Sequence, residues 1–432
     1  MTTDRDSRTI ICTDRRGASV AGEKQDRGIS EENRLEESVV LSAETEEKKR
    51  RMIQRLLAWY HENRRILPWR EDPTPYHVWL SEIMLQQTRV ETVKEYYARF
   101  LAALPDIPSL AAAPEDQVMK LWEGLGYYSR ARNLQKAAKA VCSEYQGSMP
   151  ETASALRKLP GIGSYTAAAI ASIACGEPEP ALDGNLMRVF ARVTRYEKEI
   201  GQRAAKETAE KLYRGLFDAA GKMRQETARN SAGDGTVSGQ SSNLYGTLNQ
   251  ALMDLGATIC LPNGAPVCGA CPWSACCLAH LQLPGRETDL PKMPAKKPRK
   301  IQQYTVFLLQ DGERIALRRR PPEGLLAGLF GFPMAEGHLT DREALQYVRR
   351  LGFSPIRIEN AGAARHIFTH IEWDMIGYAV RVDELAKIRY DSNGGEGDII
   401  LAATDEIRGR YPIPSAFRHY REWILNRTGG WQ

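Results

Sequence analysis

LPGIGSYTAAAIAS, residues 159–172, sets two glycines in register just ahead of a run of small residues. Glycine reaches backbone angles that other residues resist, so Pro160-Gly161-Ile162-Gly163 reads as a tight turn and the run after it as a helix. Such a turn aims several backbone N–H groups, together with the positive end of the helix, at one point. That geometry suits a phosphate. A plain helix–helix connection uses the same residue types, so the stretch gains its meaning from what surrounds it.

Helical periodicity surrounds it on both sides. RMIQRLLAWYHEN, residues 51–63, carries Met52, Ile53, Leu56, Leu57 and Tyr60 at i, i+3, i+4 spacing. The same pattern predicts helices near 75–90, 91–103, 115–121, 129–146, 151–158, 164–175, 183–194, 204–218 and 245–255, joined by loops with Pro and Gly. This half therefore reads as an all-α domain over residues 51–283. Residues 1–50, polar and dense in charge, read as a disordered extension, and the Gly/Ser-rich stretch 228–243 as a flexible insertion. PGRETDLPKMPAKKPRK, residues 284–300, combines prolines with six Lys/Arg and reads as an interdomain linker able to lie along phosphates. Beyond it the period changes. YTVFLLQDGERIALRRR reads as two strands around an Asp311-Gly312 turn, EALQYVRRLGF as a helix, and HIFTHIEWDMIGYAVRV as strand, so residues 301–432 form a separate α+β domain.

The chain has 432 residues, 26% charged and 42% hydrophobic, with a formal net charge of +5. That balance permits an anionic partner without requiring one. No run of 18 apolar residues and no secretory h-region occurs, so neither a membrane span nor an export signal is expected. Five of the eight cysteines crowd into residues 260–277, which points to a metal site in a reducing compartment, the cytoplasm. The run is Cys260-x7-Cys268-x2-Cys271-x5-Cys277, with Cys276 beside the last. Four close thiolates hold either Zn²⁺ or a [4Fe–4S] cluster, although the uneven intervals argue against a paired zinc ribbon.

Two carboxylates stand out. WLSEIMLQQT, residues 79–88, places Glu82 inside an apolar run, where a solvated glutamate has no reason to be. ALDGNLMRVFAR, residues 181–192, puts Asp183 at a helix N-cap, which by itself needs no chemistry to explain it.

Taken in order, TPYHVWLSEIMLQQTRVETV, LWEGLGYYSRARNL, LPGIGSYTA, ALDGNLMRVFAR and the four-cysteine tail resemble the A/G-specific adenine DNA glycosylases, the MutY family of the endonuclease III-like helix-hairpin-helix superfamily. The resemblance covers about residues 51–283 and continues more sparsely beyond. It implies a mainly α helix-hairpin-helix glycosylase domain with an iron–sulfur module, followed by a Nudix-like domain. It also implies a monomer acting on double-stranded DNA with A:8-oxoguanine or A:G mispairs. By resemblance Glu82 is the general acid that protonates adenine at N7, its pKa raised by desolvation. Asp183 is the ionised carboxylate that stabilises the sugar cation, kept charged by its capping environment. Asn185 and Tyr165 hydrogen-bond in the same pocket. Tyr165 stands where strand-nicking relatives carry a lysine, which implies a monofunctional enzyme. Gln86 and Gln87 face base edges, Tyr127 wedges beside the oxidised guanine, and Gly161 and Gly163 grip the backbone. The cluster is implied to be [4Fe–4S] on Cys260, Cys268, Cys271 and Cys277, although the first interval of seven is one longer than the family's usual six.

GLLAGLFGFP and RHIFTHIEW resemble the family's Nudix-like domain, with Phe368-Thr369-His370 matching its 8-oxoguanine-sensing loop. A working Nudix box needs R-E-x-x-E-E. Here the run is Arg342-Glu343-Ala344-Leu345-Gln346-Tyr347, with Met334 at the upstream glutamate, so Mg²⁺ has too few oxygen ligands.

Overall fold

The computed structural model describes residues 45–231, 243–294, 298–383 and 399–427. Among the longer helices are α1 (Glu46–Asn63), α2 (Pro75–Leu85), α3 (Ser129–Glu144), α4 (Ser164–Ile173), α5 (Gly184–Val193), α6 (Arg203–Ser231) and α7 (Leu244–Asp254). Two expected boundaries shift. The Thr45 side chain caps a helix that starts at Glu46, so the extension expected over 1–50 is already helical before residue 51. Helix α6 runs on to Ser231, into the insertion expected at 228–243; residues 1–44 and 232–242 lie outside the described residues.

The helices form two packed groups. Trp79, Phe100, Trp122, Leu134 and Ile170 centre the first, built around α2, α3 and α4. Leu56, Phe190, Phe217, Leu252 and Trp273 centre the second, built around α1, α5, α6 and α7. The segment expected to be a linker is packed in its first part: Glu287 is buried, Leu290 joins the second core, and Lys292 pairs with Glu199 in a short bridge. An apolar residue in that stretch outweighs the prolines around it.

The C-terminal half holds a sheet in the order β3-β2-β1-β6-β5, with β4 on β1 and β7 on β2. The strands are β1 (Lys300–Asp311), β2 (Arg314–Arg319), β3 (Phe330–Gly331), β4 (Met334–Glu336), β5 (Pro355–Ile367), β6 (Ile371–Val382) and β7 (Ile399–Ala403). Alternation along β1 sends Val306 and Leu308 to one face, against Phe417 and Tyr420 near α9 (Arg418–Leu425). Phe307 and Leu309 go to the other, against Ala344 and Val348 of α8 (Asp341–Arg350). The stretch expected as one strand over 366–382 is instead a hairpin, and Phe368-Thr369-His370 form its turn, closed by Phe368 N–H donating to Ile371 O at 2.8 Å.

Candidate active site

Helix α2 is buried on all sides from Val78 to Met84, and Glu82 is carried inside with its neighbours, only 6% exposed. It opens into a cavity of about 560 Å³ between the two helical groups, which Tyr165, Asp183 and Asn185 also line. Tyr165, in the first turn of α4, donates its hydroxyl to Glu82 Oε2 at 2.6 Å. Burial pushes the Glu82 carboxyl up to about 7, with Asp183 adding to the rise while the Tyr165 bond and Arg70 oppose it. Burial holds the Tyr165 phenol well above its ordinary value, so it remains a donor.

Asp183 caps α5, accepting from Leu186 N–H at 2.8 Å and from Asn185 Nδ2 at 2.7 Å. The expectation that this cap simply keeps Asp183 acidic needs correcting. Burial raises its pKa, and the bonds from Leu186 and Asn185 only offset that rise. Asn185 is itself held by Arg188, whose Nη2 donates to Asn185 Oδ1 at 3.0 Å and to Gly256 O at 2.8 Å. Arg188 Nε reaches the Cys260 carbonyl at 2.8 Å.

Sequence reasoning missed two groups beside this cavity. Asp254, fully buried, takes Arg65 at 2.6 Å and Arg70 at 2.8 Å. Burial raises that carboxyl, but Arg70 and Arg65 outweigh it and hold the group below its ordinary value. Arg130 is buried with no carboxylate. Its guanidinium donates to Ile83 O and Gln86 O at 2.7 Å and to Met84 O, Leu125 O and Gly126 O at 3.0 Å. Burial lowers its pKa to about 10. It ties the end of α2 to the turn that carries Tyr127. The available signal was an arginine among apolar positions of an amphipathic helix.

Helix α2 stops at Leu85, because Gln87 is left-handed, with φ of +58°. Gln86 and Gln87 therefore lie on a turn at the cavity's edge rather than on the helix expected through residue 90. Tyr127, also left-handed and 48% exposed, meets Thr369 across the two halves, hydroxyl to hydroxyl at 2.9 Å. Tyr127, Phe368, Thr369 and His370 line a second cavity of about 370 Å³, which His366, unmarked in the sequence reading, also lines. Phe368 is anchored edge-on against Trp373, 4.9 Å between ring centroids. Gly161 and Gly163 line neither cavity. Gly161 needs its φ of +75°, and a Cβ there would stand 2.5 Å from Asn133 Cβ. Gly163, expected to need unusual angles too, is extended; what it contributes is open space before the N–H groups of α4.

Cys260, Cys268, Cys271 and Cys277 line one cavity, and Cys276 is not among its lining residues. Burial pushes Cys271 up to about 12 and Cys268 up to about 11, with neighbouring thiols adding to both rises. Burial raises Cys277 as well, and four thiols gathered on one cavity fit a group that replaces their protons. Arg192 Nη1 donates to Cys260 Sγ at 3.3 Å. Cys268, His280 and Glu287 also bring ligand atoms within 4.8 Å of one another, but His280 Nδ1 is already bonded to Glu287 at 3.0 Å.

The Nudix positions carry local structure. Glu343 forms a capping box with Thr340, and Tyr347 hydroxyl donates to Met334 O at 2.7 Å.

Residues 80–215 match the family profile described as HhH-GPD superfamily base excision DNA repair protein, and residues 305–423 match that of the NUDIX domain. The mouse adenine DNA glycosylase is 34% identical over 385 residues, 76% of this chain and 70% of the relative. The Homo sapiens protein of that name is 33% identical, over 73% of this chain and 64% of the relative. That of Buchnera aphidicola subsp. Baizongia pistaciae is 32% identical, over 74% of this chain and 82% of the relative.

Proposed function

The chain belongs to the adenine DNA glycosylase family, a base-excision enzyme acting on DNA, and from that membership we propose that it removes adenine paired with 8-oxoguanine or guanine in duplex DNA and leaves an abasic site. The observation that carries this reading is Glu82: a buried carboxyl poised at about 7, beside a second carboxyl, in a cavity within the size range of small-ligand pockets. Adenine leaves the stack at a cost of roughly a few kcal/mol, less at a mispair, and enters this cavity. Glu82 delivers its proton to N7, so that the base departs neutral. Positive charge then grows on the sugar and meets the Asp183 carboxylate. Asn185 and the Leu186 N–H hold that carboxylate in place and favour its ionised form. Glu82, now deprotonated, accepts the Tyr165 hydroxyl bond and orients the attacking water. Among the described residues that line the cavity there is no lysine, in keeping with hydrolysis without strand nicking.

The backbone N–H groups before α4 meet phosphate, Gln86 and Gln87 meet base edges, and Tyr127 with the Phe368–His370 turn meets the opposite base. The enzyme acts as a monomer in the cytoplasm at the nucleoid. Cys260, Cys268, Cys271 and Cys277 would hold a [4Fe–4S] cluster, which when bound clamps the 260–277 loop and takes no part in bond breaking. Cys277→Ser should lose iron, sulfide and visible absorbance, and Cys276→Ser should keep them. Zinc in place of iron in the purified protein would replace the cluster with a single ion.

The test is a duplex with A opposite 8-oxoguanine or guanine, followed by alkali. Cleavage after alkali only, with no borohydride-trapped complex, is expected. A folded, metal-loaded preparation that leaves both duplexes intact would overturn the reading.

A further inference from the structure

Glu123 sits in LWEGLGYY, four residues ahead of Tyr127, with a side chain only 12% exposed. Its carboxylate gathers donors from both halves of the molecule. Oε1 accepts Arg421 Nη1 at 2.9 Å and the Ile413 backbone N–H at 3.3 Å. Oε2 takes Lys120 Nζ at 2.6 Å, and the same ammonium reaches Tyr411 O at 3.2 Å. Residues 411 and 413 belong to a short segment whose continuation, Pro414, Ser415 and Ala416, lines the Tyr127 cavity opposite the helical half. We propose that Glu123 is a specificity-determining positioning residue: it pins the 411–416 wall to the Tyr127 turn and so sets how strongly the enzyme prefers 8-oxoguanine over guanine opposite adenine. This rests on the substrate reading above.

The anchor is firm on its own side. Tyr96 hydroxyl donates to Glu123 O at 2.7 Å, and Gly124 N–H donates to Tyr128 hydroxyl at 3.3 Å. Gly124 has φ of +102°, and a Cβ there would lie 2.1 Å from the Tyr96 oxygen. The chain from the carboxylate to Tyr127 is therefore short and stiff. On the far side Phe330 N–H donates to Pro412 O at 3.2 Å, and Ile413 and Ala416 sit in the core of their own half. What the carboxylate supplies is the tie to the helical half, where Arg421 and the Ile413 N–H converge on one oxygen. Other contacts keep the C-terminal half docked when this one is lost. Leu329 packs into the first helical core, Arg132 donates to the Ala327 carbonyl, and Arg319 pairs with Asp116 at 3.4 Å. Loss of the Glu123 bonds should thus loosen one wall of the cavity and leave the fold and the Glu82 cavity as they are.

The experiment compares single-turnover excision on A:8-oxoguanine and A:G duplexes for the full chain and for Glu123→Gln, Arg421→Gln, Arg421→Lys and the Glu123→Gln/Arg421→Gln pair. The ratio of the two rates is expected to fall about fivefold or more in both Gln variants, with the A:G rate within roughly twofold of the parent. The pair should be no worse than either alone, since both remove one contact. Arg421→Lys, which keeps a cation, should recover most of the preference. An unchanged ratio in Glu123→Gln overturns the proposal, as does an equal fall on both duplexes. A parent enzyme with no preference between them overturns this assignment alone, whereas one that excises from neither duplex overturns the substrate reading.

Discussion

The cavity around Glu82 and the cavity around Tyr127 are enclosed in different ways. The first lies within the helical half, between elements of two cores, with Glu82 buried and Asp183 half-buried. The second lies between the two halves of the chain, bridged by a hydroxyl pair between exposed residues and by Arg132 donating to the Ala327 carbonyl. Burial makes each charge in the first expensive and reactive, whereas water shares the hydroxyl contact in the second. Substitutions in the first cavity should therefore change the rate on every substrate, and those in the second should change the preference among substrates.

Glu82→Gln puts the greatest strain on that contrast. Loss of a general acid should lower single-turnover excision on both duplexes by about 10²–10⁴-fold, with duplex binding retained in a mobility-shift measurement. The parent rate should fall about tenfold per pH unit above about 7, as the acid form is lost, and Glu82→Gln should lack that limb. Stability carries the same signature. The folded-state pKa lies above the ordinary value of 4.5, so the folded state binds the proton more tightly, and stability is lost as pH rises through about 7. Glu82→Gln removes an ionisation cost on the order of 3 kcal/mol, so its melting temperature should exceed the parent's at pH 8 and match it near pH 4.

Arg130→Lys tests whether the two cavities are independent. One ammonium cannot serve the five carbonyls that the guanidinium reaches. Each buried carbonyl left short costs about 1–3 kcal/mol, so a lower melting temperature and a fall of roughly tenfold or more on both duplexes are expected. A change confined to the A:8-oxoguanine duplex would show instead that Arg130 acts through the Tyr127 turn alone. The smallest effect belongs to Tyr127→Phe. It removes one exposed hydroxyl contact, worth about 0.5–1.5 kcal/mol, and should shift the ratio of rates about two- to tenfold without moving the A:G rate. Thr369→Val added to it should contribute little more.

Local chemistry accounts for what was legible before folding. Periodic apolar residues mark α4, α5 and α7 nearly to their ends, since a helix is specified by neighbours three and four residues apart. Glu82 drew attention because a charge inside an apolar run is a local contradiction. Sequence spacing left both Cys276 and Cys277 open as the fourth thiol, and only the folded loop puts Cys277 on the cavity. Alternation alone reads Phe368–His370 as strand, because β-branched and aromatic residues on both sides mask a three-residue reversal, and only the resemblance implies a loop there.

What the chain alone determines here is most of the long helices, the pair of carboxylates, the thiol cluster and the erosion of the Nudix box, because each is written in residues close together. Tertiary structure decides the rest. Arg70 meets Asp254 and Arg421 meets Glu123 across separations of 184 and 298 residues, and no local pattern encodes such meetings. The proton affinity of Glu82 belongs to the same class, since it depends on how completely two helical groups exclude water from one side chain.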